Sequence, residues 1–314
     1  MITVLAGGVG AARFLRGLIG VVDERDVAAI VNTGDDTECY GLNICPDLDT
    51  VTYTVSGSSN TETGWGLAGE TWTIMEALER YGVSTWFRIG DQDLGTHLFR
   101  TARLNQGATL SEVTTEIAKA WGLSLSLMPM SDDSVRTRLT LVDGREVEFQ
   151  EYFVHLHHDV AVCAVRFDGI DRARPAPGVL EAIENAETVV IAPSNPILSI
   201  GPILAVTGVA DALKRRRDAV VAISPIVAGA AIKGPADHLL TELGEESSAV
   251  GIAHLLTPYA STLVIDVADE ALSSKVMRNE MRCIVANTIM GSKKDSEELA
   301  RIALASAHSV PIRP

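Results

Sequence analysis

The chain opens on a pattern that leaves few folds available. A short apolar run, Ile2 to Ala6, leads into Gly7-Gly8-Val9-Gly10, and then apolar residues recur at helical spacing, Phe14, Leu15 and Leu18. Strand, glycine turn and helix in that order form the first unit of a βαβ fold. Glycine lets the backbone approach a phosphate closely, and the helix start supplies unpaired N–H groups and a positive dipole end. The match to the dinucleotide fingerprint G-x-G-x-x-G is partial. Arg13 stands where the third glycine belongs, and no Walker lysine follows. The loop therefore reads as a phosphate or nucleotide cradle, with a glycine turn that serves packing as the alternative.

A second apolar run, Val27 to Val31, reads as a buried strand and ends at Asn32. Just past it, Asp35, Asp36, Asp47 and Asp49 fall within fifteen residues, with no Lys or Arg among them. In open α/β sheets ligands bind beyond the carboxyl ends of the strands. Carboxylates crowded there are costly unless a cation neutralises them, and Mg²⁺ shared with phosphate suits hard oxygen ligands. A solvated acidic loop with Asp as turn former is the alternative. One of Asp47 and Asp49 would also serve as a cap for the helix that starts here. A dinucleotide-binding unit needs a single acid at this point, a role Asp35 could fill, which leaves Asp47 and Asp49 unexplained.

The rest of the chain extends the β/α rhythm. Thr61 to Gly69 reads as a loop, and Glu70 to Tyr81 as an amphipathic helix with Trp72, Met75, Leu78 and Tyr81 on one face. Trp86 to Ile89 reads as a short strand before a second acidic turn, Gly90-Asp91-Gln92-Asp93, flanked by Arg88 and His97. Helices are expected from about Thr96 to Leu104 and from the cap Ser111 to Trp121, then a strand over Leu123 to Met130. Arg136 to Val154 alternates apolar and polar residues across Asp143-Gly144, a hairpin signal, and reads as an insertion covering the site. The run His155 to His158 reads as an exposed loop, not a metal site. In the second half, a strand over Thr188 to Ala192 precedes Pro193-Ser194-Asn195-Pro196, which sets a hydroxyl and an amide at a strand end. Further strands are expected at Ala219 to Ser224 and Thr262 to Asp266, and a helix at Ser296 to Ala307. Between them, a small-residue loop carries Lys233. The fold class expected is α/β, one Rossmann-like domain over residues 1–314 with a mostly parallel three-layer sheet and the β-hairpin insertion.

Bulk properties narrow the function. At 46% hydrophobic and 21% charged residues, the chain can bury a substantial core. Its net charge of −15 argues against a nucleic-acid surface, which needs a basic stripe. No apolar run has membrane-span length, and the start MITVLAGG lacks a basic n-region, so no signal peptide is expected. Cys39, Cys45, Cys163 and Cys283 form no C-x-x-C pair and read as reduced thiols. A cytoplasmic protein is expected.

Seven motifs then line up: Ala6-Gly7-Gly8-Val9-Gly10, Asn32-Thr33-Gly34-Asp35-Asp36, Pro46-Asp47-Leu48-Asp49-Thr50, Gly90-Asp91-Gln92-Asp93, Pro129-Met130-Ser131-Asp132-Asp133, Pro193-Ser194-Asn195-Pro196 and Ser224-Pro225-Ile226. In this order and at these intervals the chain resembles the 2-phospho-L-lactate transferase (CofD/FbiA-like) family of deazaflavin coenzyme F-420 biosynthesis, over nearly its whole length. The family usually has Asp-Arg-Asp in the second acidic turn, where this chain has Gln92. The resemblance implies a Mg²⁺-dependent transferase. It would pass a phospho-lactyl or phosphoenolpyruvyl group from a GDP-activated three-carbon acid to the ribityl hydroxyl of the deazaflavin Fo, releasing GMP. It implies a homodimer as well. On this basis Asp35 and Asp49 are the metal-ligand candidates, with Asp36 and Asp47 as supporting or base residues. Asp49 and Arg88 are carried over for Fo contact, and Gly8, Gly10, Ser194 and Asn195 for the guanosine nucleotide. The competing reading is a non-catalytic nucleotide-sugar-binding regulator of the same superfamily. Those proteins follow the Asp-Asp pair with Gly-Gly-Ser-Ser-Gly-Arg, where this chain has Thr37-Glu38-Cys39-Tyr40.

Overall fold

Seven strands form one sheet in the computed structural model, which describes residues 1–60 and 64–307. They are β1 (Ile2–Ala6), β2 (Val27–Val31), β3 (Ser126–Pro129), β4 (Thr188–Ile191), β5 (Val220–Ile223), β6 (Thr262–Asp266) and β7 (Arg282–Ala286). Their order across the sheet is β7-β6-β5-β4-β1-β2-β3, and every neighbouring pair is parallel. This is the Rossmann order with one strand added, and the order reverses between β1 and β4. The central strands are apolar throughout because both faces are covered. Successive side chains point to opposite faces. Leu5, Ile30, Ile191 and Leu263 enter the core under the Val179–Glu184, Val209–Arg215 and Ala249–Leu256 helices. Val4, Val31, Val190 and Val264 enter the other core, under helices α1 (Gly8–Leu18), α2 (Pro46–Val55) and Lys293–Ala307. Three layers result, as expected.

Several local expectations change. Trp86–Ile89 is not a strand; the Phe87 carbonyl accepts from the Tyr40 hydroxyl at 2.7 Å. The helix beside it, α3, spans Thr73–Arg80 and buries Met75, while Tyr81 lies past its end in solvent. Next comes α4 (Asp93–Asn105), which starts earlier than the periodicity suggests. The helix after it is capped by Thr109 in a reciprocal box with Glu112, not by Ser111. Strand β7 is not among the expected strands: its apolar run, Cys283 to Ala286, is short, and as an edge strand it is only half-buried. The insertion is larger than the hairpin. Arg136–Leu141 pairs with Glu146–Glu148 and also, antiparallel, with Val162–Asp168. Its outer strand is mostly exposed, so no hydrophobic alternation announces it. The π-helical turn Glu151–His155 crosses between them and brings Phe149 and Phe153 over the end of the sheet. Residues 61–63 of the expected Thr61–Gly69 loop lie outside the described residues.

Candidate functional site

The loops after β1, β2 and β4 meet at the carboxyl end of the sheet, where the strand order reverses, and enclose a cavity of about 700 Å³. Gly10 lets two of these loops touch, since a Cβ there would collide with the Pro193 carbonyl oxygen. Gly7 is equally tight, against Ser199. The Gly7 N–H donates to Ser194 Oγ at 3.4 Å and the Gly8 N–H to Asp47 Oδ1 at 2.8 Å. Asp47 therefore does not cap its own helix; it caps α1, which α2 packs against. Asp49 does not cap either, so the cap expectation fails for both. The Val9 and Gly10 N–H groups, like all in a first turn, have no acceptor within the helix. Val9, Gly10, Ser194 and Asn195 line the cavity. Asn195 also caps the next helical turn, its Oδ1 accepting from the N–H groups of Ile197 and Leu198.

Asn32, fully buried at the end of β2, holds the floor together. Its Nδ2 donates to Asp35 Oδ2 and to Asp47 Oδ2, both at 3.0 Å, while its Oδ1 accepts from the Gly34 N–H. Burial, with Asp47 and Asp36 nearby, lifts the Asp35 carboxyl well above its ordinary value. Burial pushes Asp47 up to about 6, against the hydrogen bonds from Asn32 and Gly8. Neither residue has a cationic partner among the described residues. Asp36 is pushed up to about 7 by burial, which outweighs Arg136. It faces a small cleft behind the main cavity, with Arg136 and Gln150, and does not line the cavity itself.

Asp49 belongs to a second network, between α2 and α4. Its Oδ1 is held by the Arg100 guanidinium, which is completely buried, and its Oδ2 faces His97 Nδ1 at 3.7 Å. Burial raises the Asp49 carboxyl, with Arg100 and then His97 pulling it back. His97 Nε2 lies 3.3 Å from Asp93, whose other oxygen accepts from the Tyr53 hydroxyl at 2.6 Å. Asp49 and Tyr53 are four residues apart on α2. Asp93, His97 and Arg100 follow i, i+4, i+7 on α4, so each set shares a helix face.

Asp35 Oδ1 and Asp49 Oδ2 are buried without a hydrogen-bond partner, and both residues line the cavity. Oxygen-only donors, raised carboxyl pKa values and orphaned oxygens together fit a hard divalent cation such as Mg²⁺. Asp49, Asp93 and His97 also bring one ligand atom each within 4.8 Å of one another. Arg100 already supplies a positive charge to that group, whereas Asp35 and Asp47 have none. Across the cavity stand aromatic rings, Trp65, Trp86, Phe87, Phe149 and Phe153, with Arg88 beside them. Arg88 lies over the Trp72 ring, 4.6 Å from its centroid. Gln92 is exposed, does not line the cavity, and donates to the Gly69 carbonyl at 2.9 Å.

The model of the CofD family, 2-phospho-L-lactate transferase, matches residues 2–286. The chain belongs to the CofD family. A protein of Kitasatospora aureofaciens named phosphoenolpyruvate transferase is 44% identical, over 98% of each chain. Proteins of the same name are 42% identical in Streptomyces coelicolor, over 98% of each chain, and 40% identical in Mycolicibacterium smegmatis, over 84% of this chain and 86% of that one. Among solved structures, a UPF0052-family protein from Bacillus halodurans has the same fold, with TM-score 0.61 and 17% identity over 96% of this chain and 98% of that one. Among the described residues of this CofD-family transferase, no single helix is long and apolar enough to cross a membrane.

Of the residues singled out in the sequence, the glycine loop, Asp35, Asp47, Asp49, Arg88, Ser194 and Asn195 line the cavity, and Asp36 does not. Sequence reading misses Asn32 as the bridge between two carboxylates, and it misses the roles of Tyr53, Asp93 and Arg100. The spacing of 93, 97 and 100 is the available signal; nothing local marks Asn32, because its partners are set by the meeting of β2 with α2.

Proposed function

We propose that this protein transfers a phosphoenolpyruvyl group from a GDP-activated donor to the ribityl hydroxyl of Fo, releasing GMP in coenzyme F-420 biosynthesis. The observation that carries the reading is the pairing of buried, cation-poor Asp35 and Asp47 with a glycine-loop helix start in one cavity. The choice of acid rests on the names of relatives at 40% to 44% identity. The regulator reading has no comparable support, since the likeness to the UPF0052 protein is one of fold.

In this reading the first-turn N–H groups of α1, with Ser194 and Asn195, hold the nucleotide phosphates. The aromatic wall takes the planar deazaflavin, with Arg88 at its edge. Asp35 and Asp49 present their unpaired oxygens to Mg²⁺, with Asp47 beside them. Bound there, the ion would neutralise charge on the transferring phosphoryl group and lower the pKa of the hydroxyl. The hydroxyl oxygen forms its bond to the phosphorus bearing the enolpyruvyl group, and the bond from that phosphorus to the GMP oxygen breaks. The hydroxyl proton passes to a carboxylate, for which Asp47 is the candidate because it lines the cavity and has no cationic partner among the described residues. The protein otherwise positions groups and balances charge, as phosphoryl transfer requires. Asp36, outside the cavity wall, supports the Asp35 turn and takes no part in proton transfer. Pairing into a homodimer belongs to the same proposal, and exposed Leu98 and Phe99 on α4 offer apolar surface for it.

Fluorescence titration with Fo, alone and with GDP and Mg²⁺, tests the reading. Saturable Fo binding strengthened by GDP and Mg²⁺ is expected. An absence of Fo binding, combined with a thermal shift from a UDP-sugar, would replace the transferase by the regulator.

A further inference from the structure

The cavity carries two cations that the transfer scheme above leaves unused. Arg13 lies one turn into α1, on the glycine-loop side, and Lys233 on the loop after β5; both line the cavity. Neither forms an ion pair among the described residues, although acidic side chains outnumber basic ones, 41 to 26. The only hydrogen bond Arg13 makes there is to the Met290 carbonyl, at 3.5 Å. Lys233 is an exposed residue of the cavity lining. It lies against Gly64 on the facing loop, so that a Cβ on Gly64 would fall on its Nζ. Burial and then the charge of Arg13 lower the Lys233 pKa, which places the two cations in each other's field. Two cations that repel and have no acid between them leave room for an anion. The acidic pole of the cavity is contributed elsewhere, Asp35 by the turn after β2 and Asp47 and Asp49 by the first turn of α2.

We propose that Arg13 and Lys233 form an anion subsite for the donor, closing over its charged end from opposite loops. This rests on the transferase reading and deepens it by dividing the cavity into a carboxylate pole and a cationic pole. Two groups of the donor have the required chemistry, the diphosphate and the carboxylate of the three-carbon acid. Arg13 can approach either with a planar two-pronged fork, while Lys233 acts as a point charge. In phosphoryl transfer a cation at the departing phosphate also stabilises the charge that collects there.

The test uses the full-length protein and three variants, Lys233→Met, Lys233→Arg and Arg13→Gln. GDP affinity is measured by calorimetry at low and high salt, Fo affinity by fluorescence, and KM for the GDP-activated donor by turnover. A charge-assisted hydrogen bond is worth about ten- to hundredfold in affinity. If the diphosphate is the ligand, Lys233→Met and Arg13→Gln each weaken GDP by about tenfold or more at low salt, and less at high salt. If the carboxylate is the ligand, GDP affinity holds and the donor KM rises by a similar factor. In both cases Fo affinity stays at the parent value and Lys233→Arg recovers most of the loss. Unchanged GDP affinity together with an unchanged donor KM overturns the subsite while leaving the transferase intact. A parent protein that binds neither GDP nor Fo overturns the transferase reading itself, and the subsite with it.

Discussion

Replacing Asp47 by Asn should make the metal-free protein more stable and the enzyme worse. Asp47 is buried, and its carboxyl rises from an ordinary 3.8 to about 6. A displacement of that size corresponds to roughly 3 kcal/mol between the two protonation states. A raised carboxyl pKa means that the folded protein binds the proton more tightly than the unfolded chain. The stability it gives is complete below about pH 4 and is lost as pH rises through about 6. Above that, ionised Asp47 costs the fold the full amount. The amide introduced by Asp47→Asn cannot ionise and keeps an oxygen for the Gly8 N–H. Its NH₂, however, meets the Asn32 amide donor-to-donor, a loss of about 1 kcal/mol. The net expectation is a gain of about 2 kcal/mol at about pH 8 and little change at about pH 4.5. Urea unfolding of parent and variant in EDTA at both pH values measures it. Equal or lower stability of Asp47→Asn at the higher pH would refute the claim that Asp47 is strained by burial beside Asp35. A loss of transfer activity with the gain in stability would mark the residue as held there for function.

Other consequences follow from the same geometry. Because a divalent cation must displace protons held by Asp35 and Asp47, its stabilising effect should grow between about pH 5 and about pH 8; thermal melts with and without Mg²⁺ check the slope. Arg100→Met should destabilise the fold by about 3–5 kcal/mol by leaving Asp49 buried and unpaired, and Arg100→Lys should restore only part because it lacks the fork; denaturant unfolding reads both. Gly10→Ala should cost about 1–3 kcal/mol through its collision with the Pro193 carbonyl and weaken GDP more than Fo, as calorimetry and fluorescence would show.

How far the sequence can be read depends on whether the signal is local. Val4, Val31 and Val190 sit in short runs of apolar residues, and such runs announce strands buried on both faces. Order and handedness of βαβ connections then leave little freedom, so the switch point falls where the glycine loop and Ser194 indicate. Strand β7 and the outer strand Val162–Asp168 are hidden because edge strands carry mixed burial and no clean period. Trp86–Ile89 misleads because Trp86 and Phe87 line the cavity and Ile89 packs into a small separate cluster with Ile44 and Met75, with no sheet beside them. In the site, the aspartates are visible as an excess of like charge with no local cation. What they touch is not. Asn32 reaches Asp47 fifteen residues on, and Arg100 reaches Asp49 fifty-one residues back. The first distance is closed when α2 meets the end of β2, the second when α4 comes up against α2. Asp35 and Asp36 are adjacent in sequence, yet Asp35 lines both the main cavity and the cleft behind it, and Asp36 the cleft alone.

The most direct test of the account is the mass spectrum of Fo after incubation with the protein, GDP-activated phosphoenolpyruvate and Mg²⁺, with nucleotide products separated in parallel. The account predicts that Fo gains one enolpyruvyl phosphate diester and that GMP appears in equal amount. Fo left unmodified, or GDP released in place of GMP, would contradict it.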